Sequence, residues 1–318
     1  MSGQMLADTC EPAFARHETF HPRFGWLRKA VDRAGDGTTF THDDATVTFG
    51  VGKNMVTAIR HWGLAFKVLE KQHDPARPRV PLVLPSAFGT ALLSDGGWDP
   101  YLEDPASLWL LHWKLLSGPS TAPTWWVAFN DFTPLQFTEQ QLTARVVELA
   151  AAAGWPSVVD ASVKKDVDCL IRTYTVRRHG RQALDDVLDC PFRELGLLTS
   201  TLGDEGRTWR FVVGEKPTLP DAIIVYSALD FASREASSQS MSIARLTHDP
   251  GSPGLAFRLT ESVIFDALSR FSVGVDGLEV AEPSGQRQLL FRGGATEMAD
   301  QVLSDYYQAS GLQEVRSA

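Results

Sequence analysis

Residues 43–69 read DDATVTFGVGKNMVTAIRHWGLAFKVL, and their spacing predicts two helices meeting at a glycine elbow. Ala45, Thr46 and Phe49 fall on one face of a short first helix. Gly50-Val51-Gly52 supplies the turn, where glycine takes a left-handed backbone without steric cost. Val56 and Ile59, three apart, face back into the angle between the helices. This is the pattern of a helix-turn-helix. It leaves Lys53, Asn54, Thr57, Arg60 and His61 pointing outward as candidate DNA-binding residues. Such donors and acceptors reach phosphates and base edges in a major groove. A helical hairpin buried in a larger domain is the competing reading. A phosphate loop is excluded, because the motif needs Gly at position 47 and Ser or Thr after the Lys. Those positions hold Val47 and Asn54.

Bulk properties frame this motif. The 318 residues can build two or three cores. Hydrophobic content of 43% and charged content of 22% match an ordinary globular protein. No apolar run approaches the ~20 residues of a membrane span. The N-terminal MSGQMLADTC lacks a basic flank and an apolar centre, so no signal peptide is read there. Cys10, Cys169 and Cys190 are odd in number and widely spaced. They point to the reducing cytoplasm, without a disulfide framework or metal knuckle. A formal net charge of −9 argues against a general nucleic-acid coat. A local basic face is still open: Lys53, Arg60, His61 and Lys67 follow one another with no acid between them.

Upstream, residues 13–32 contain His17-Glu18-Thr19-Phe20-His21, a match to HExxH. Zinc proteolysis needs both histidines one turn apart on a continuous helix. Pro22 directly after His21 opposes that helix, and no third ligand follows at a recognisable spacing. A turn rich in hydrogen-bonding groups is the bland reading. The sharper one is a phosphodiester-cutting site built from Arg16, His17, Glu18, His21 and Arg23. Hydrolysis needs an activated water, a base or metal, and cations for the developing charge. Glu18 is the candidate ligand for a divalent metal, Mg2+, with His17 as the alternative base near neutral pH. Asp43 and Asp44 are further carboxylates. A helix is then expected from Arg23 to Arg33, with Trp26, Leu27, Ala30 and Val31 as its apolar stripe.

Downstream, residues 73–100 are rich in Pro, Gly and Asp and read as a connector with few regular elements. Asp104-Pro105 opens an apolar helix through Leu116. Trp109, Trp113, Trp125 and Trp126 could form a base-stacking platform, but aromatics flanked by Leu, Val and Ala belong more often to the core. Thr138 with Gln141 predicts a capping box opening a helix to about Ala153, and Ser162 starts the next. Lys164, Lys165, Arg172, Arg177, Arg178, His179 and Arg181 form a second basic cluster, most simply a solvated face. The last third reads as helices over 221–234, 240–246 and 261–271, then strands over 278–282 and 287–291 joined by Pro283-Ser284-Gly285-Gln286, then a closing helix over 296–308. Three helices before a hairpin is winged-helix order. The third helix carries Glu261 and Asp266, which favours a structural or protein-contact role there. The expected fold is thus mainly α with small β hairpins. Its parts are a helix-turn-helix domain with connector (1–95), a helical middle domain (96–205) and a winged-helix-like domain (206–318).

Several blocks resemble the SspB family of bacterial DNA phosphorothioation proteins. They are FARHETFHPRFGWL over 14–27, GVGKNMV over 50–56, Ile59-Arg60 and Trp62, EDP over 103–105, LWLLHW over 108–113, and Asp166-Val167 with Cys169. The resemblance implies a place in a phosphorothioate modification and anti-phage defence system. Its partners there would be double-stranded DNA and other phosphorothioation proteins, which mobilise sulfur from cysteine and use ATP; nicking of DNA is implied for this component. No established catalytic motif comes with the likeness. Two alternatives stand beside a DNA-nicking endonuclease. One is a non-catalytic recognition subunit that recruits the sulfur-transfer partners. The other is a helix-turn-helix transcriptional regulator, in which HETFHPRFGW has no role. No membrane partner is expected, and a homodimer is left open.

Overall fold

The computed structural model describes residues 3–75, 77–155, 158–175, 190–203, 206–234 and 239–310. The elbow forms where its glycine falls. Helix α3 (Ala45–Phe49) ends at Gly50, at φ 60° and ψ 33°, and α4 (Lys53–Ala65) begins three residues on. With five residues, α3 places only Ala45 and Phe49 on its inner face; both are buried, whereas Thr46 is exposed. On α4, Val56, Ala58, Ile59 and Trp62 are buried. Before the elbow come α1 (Gly3–Thr9) and α2 (Trp26–Arg33). The latter starts three residues later than the apolar stripe predicts, because Gly25 takes φ 75°. All four stripe residues are buried.

The stretch expected to be an irregular connector carries regular structure. Strand β1 (Leu69–Gln72) pairs antiparallel with β2 (Leu82–Pro85), Leu69 opposite Pro85. Helix α5 (Ala87–Leu93) follows, with the Ser86 hydroxyl accepting from Gly89 N at 2.8 Å. The prolines and glycines there mark element ends rather than loop interiors.

Four helices build the centre: α6 (Pro105–Leu116), α7 (Pro123–Asn130), α8 (Glu139–Ala152) and α9 (Asp160–Tyr174). Asp104 caps α6, accepting from Ala106 N at 2.9 Å. Thr138 and Gln141 close both bonds of a capping box on α8. Trp109, Trp113, Trp125 and Trp126 are all buried. Each such ring takes roughly 200 Å² out of water, worth ~5 kcal/mol at ~25 cal/mol/Å², so these rings hold the core and offer no platform. A small sheet, β3 (Gln136–Phe137), β5 (Gly206–Phe211) and β4 (Leu198–Gly203), in that spatial order, lies beside them.

The C-terminal third runs α10 (Asp221–Ala232), β6 (Ser240–Ser242), α11 (Ile243–His248), α12 (Pro253–Phe257), α13 (Glu261–Ser272), β7 (Leu278–Ala281), β8 (Gln288–Phe291) and α14 (Ala295–Ala309). The expected helix over 240–246 is divided. Ser240 to Ser242 pair with β8, completing a sheet of order β6-β8-β7, and Ser242 then caps α11. One contiguous set of buried side chains reaches from Leu6 to Tyr307. His112 ties its halves together: Nε2 donates to Ala256 O at 2.8 Å, and Nδ1 accepts from the Tyr174 hydroxyl at 2.8 Å. Burial lowers its pKa to about 4. Of the second basic cluster, Lys164 and Lys165 are exposed and Arg172 is half-buried; Arg177, Arg178, His179 and Arg181 lie outside the described residues.

Candidate nucleic-acid interface

Helix α4 presents its candidate DNA-binding residues in a graded way. Lys53, Asn54 and Thr57 are exposed, Arg60 is half-buried, and His61 is only 9% exposed. The expectation that all five point outward is therefore corrected for His61. One turn on from Thr57 and on the same side of the helix, His61 lines the same cleft but is covered by its neighbours. It packs against Trp62 at 5.0 Å and His17 at 6.0 Å between ring centroids. Burial is the main force that lowers the His61 pKa to about 3, helped by the charges of His17, Arg16 and Arg60. The ring is uncharged at neutral pH.

Thr57, Arg60 and His61 share one cleft of about 390 Å³ with Arg16 from the upstream block. Glu11, Lys71 and Thr121 complete its polar lining. Three full cations thus face a single carboxylate, and that carboxylate is engaged by Lys71 at 3.3 Å. Arg60 is depressed in pKa by burial alone, with no acid offsetting it. Its Nε and the Thr121 hydroxyl are shielded from solvent without a hydrogen-bond partner. A desolvated guanidinium without a counter-charge is costly. A phosphate oxygen placed in the cleft would satisfy it by a charge-assisted bond.

The upstream block HETFH is a tight turn, not a helix. Ala15, Glu18 and Thr19 sit at φ 54°, 49° and 67°. Left-handed backbone at non-glycine residues costs of order 1–3 kcal/mol each and persists only where surroundings impose it. Here Asp166 of α9 imposes it. This carboxylate, 2% exposed, accepts from Ala15 N at 2.8 Å, His17 Nε2 at 2.8 Å and the Thr124 hydroxyl at 3.0 Å. Arg172 adds a bond to Thr19 O at 2.5 Å. The turn drives His17 into the core, stacked on Trp62 at 5.9 Å, and leaves Arg16 exposed at the cleft.

The candidate catalytic residues are accordingly spread out. Arg16 lines the cleft and His17 lies behind it, with a shielded and unpartnered Nδ1. Glu18 faces solvent. His21 is buried, and burial with the charges of Arg193, Arg172 and Arg23 lowers its pKa to about 3. Arg23 lies over the Phe20 and Trp26 rings at 5.7 and 5.5 Å. Among the described residues no group of three or more His, Cys, Asp or Glu is placed to hold a metal ion. Glu18 offers one carboxylate, so the residues do not fit a protein-enclosed Mg2+ site.

Lys71 and Thr121 escape a reading by motif, and Asp166, although part of a block that carries the family resemblance, shows no role in the site because it joins from a distant part of the chain. Asp166 does leave one trace. Val163, Val167 and Leu170 form the apolar stripe of α9, and an acid at 166 falls inside it. A carboxylate on a buried helical face needs buried donors.

The fold and the cleft define a mainly helical protein with a groove lined by Arg16, Arg60 and Lys71. A family model described as a protein of unknown function, DUF4007, matches residues 14–307. One solved structure, a magnesium ion-bound SspB, is 41% identical, with a TM-score of 0.90 over 96% of this chain and 91% of its own. A second SspB structure is likewise 41% identical, with a TM-score of 0.90 over 97% and 92%. No curated protein matches the chain significantly. The chain belongs to the DUF4007 family and is a relative of SspB.

Proposed function

We propose that the chain is the DNA-engaging component of a phosphorothioation system and that it nicks the strand it holds. The observation that carries this reading is the pair of guanidinium groups, Arg16 and Arg60, lining one cleft with Lys71 beside the exposed start of α4. Lys53, Asn54 and Thr57 would follow one groove of the duplex, while the cleft takes a backbone phosphate. The helix–elbow–helix of α3 and α4 has the connectivity of a DNA-reading motif. The order α10-β6-α11-α12-α13-β7-β8 is compatible with a winged helix used for protein contact. The resemblance to phosphorothioation proteins and the likeness to SspB supply the system and its sulfur-mobilising and ATP-using partners.

Cutting asks for more than binding. Arg16 and Arg60 would stabilise charge on the phosphate under attack. His61, uncharged at neutral pH, is an imidazole that lines the same cleft. The buried positions of His17 and His21 favour a second reading, a recognition subunit that cuts nothing.

Supercoiled plasmid separates the two. Purified protein should convert it to relaxed circles in Mg2+, with the product reduced by chelator or by R16A/R60A. Retention of the plasmid in a gel without relaxation under any condition would remove nicking and keep recognition. Absence of retention at low salt would remove both.

A further inference from the structure

A second recess adjoins the cationic cleft and shares Pro12 and Arg16 with it. Its volume is also about 390 Å³, but its walls are apolar: Phe14, Trp155, Val158 and Val159. The Phe14 and Trp155 rings meet edge to face at 6.1 Å. Val159 is 60% exposed at its rim, an apolar side chain left in water. Ser162 gives the recess a hydroxyl.

Resting on the DNA-binding reading above, we infer that this recess receives one nucleobase turned out of the strand whose phosphate lies between Arg16 and Arg60. Three features select that occupant. The recess is apolar where the neighbouring cleft is cationic, which is the alternation of a nucleotide's base and phosphate. The two are joined through Arg16, whose planar guanidinium can pair with a phosphate and also lie against a base. Apolar walls with one hydroxyl enclose a base and can reach its edge, which is how extruded bases are gripped. A paired, stacked duplex has no part that fits such a recess, so occupancy requires one base to leave the stack.

The test uses the full chain and 30-bp duplexes in which 2-aminopurine, bright only when unstacked, replaces one base at successive positions. Binding should raise its fluorescence several-fold at one position and leave the others unchanged. Val159→Trp, a substitution at an exposed site, fills the recess. It should abolish the fluorescence rise while the protein still retains duplex at low salt, with circular dichroism unchanged. Duplex binding without a rise at any position would overturn the inference and leave DNA binding intact, and so would an undiminished rise in the Val159→Trp protein. Failure of the parent protein to bind duplex at low salt would overturn the underlying reading instead.

Discussion

The region around His112 and the cleft around Arg60 are built from the same ingredients, tryptophans, a histidine and an arginine, yet they are finished differently. Around His112 both ring nitrogens are bonded, and the nearby Arg258 donates to Ala128 O at 2.5 Å and stands 3.9 Å over the Phe211 ring, while its Nε is shielded and unpartnered. Around the cleft, Arg60 Nε, Thr121 Oγ1 and His17 Nδ1 are shielded and unpartnered too. Buried and unpaired polar groups, which cost ~1–3 kcal/mol each, thus occur in both regions. What sets the cleft apart is that Arg60, its pKa lowered by burial with no acid to offset it, stands on a wall that a ligand can reach.

The strongest attempt to break this contrast is Asp166→Ala. It removes the acceptor of three buried bonds and should cost ~4 kcal/mol in urea denaturation. A loss under ~1 kcal/mol would mean that the carboxylate does not hold the turn. Next is R16A/R60A, which should weaken duplex binding about 100-fold, or ~2.7 kcal/mol. It should also reduce the salt slope by about 1, since the two groups serve one phosphate. An unchanged slope would place the phosphate elsewhere.

Acid offers a third handle. His112, His61 and His21 have folded pKa values of about 4, 3 and 3, below the ordinary 6.5. Between those values the unfolded chain takes protons that the folded chain refuses. Stability should therefore be level above pH 7 and fall as pH drops through 6.5 toward 4, by roughly 1 kcal/mol per unit for each histidine. Denaturation midpoints from pH 8 to 5 check this, and a flat profile contradicts the three burials. The smallest effect is the sharpest. Arg60→Leu should stabilise the free protein by ~0.5–1 kcal/mol, since it removes an unpaired, partly buried charge, while weakening DNA binding. Lys53→Leu, at an exposed site, should weaken binding without the gain in stability.

The elements were legible where local chemistry sets them. Asp104-Pro105, Thr138 with Gln141, and Gly50 each fix an end within their own few residues. Strand β2 and helix α5 were hidden under a proline count, although Ser86 is an ordinary cap. Strand β6 has three residues and exists only because β8 lies beside it, 46 positions further on at Ser242↔Gln288 and more elsewhere. In the site, Arg16, Thr57 and Arg60 were visible as residue types. That they share a cleft was not visible, because Asp166 decides where Arg16 goes. The burial of His61 comes in part from His17, which bonds to the distant Asp166, and no local signal announces it.

Dependence on Asp166 also gives the cleft a birth order. Arg16 leaves the ribosome among the first residues, but the carboxylate that sets its turn is synthesised 150 residues later, and Thr124 in between. A nascent chain that already carries all of α4 still lacks a formed groove. The groove therefore arrives late in synthesis, once α7 and α9 have closed over the N-terminal turn.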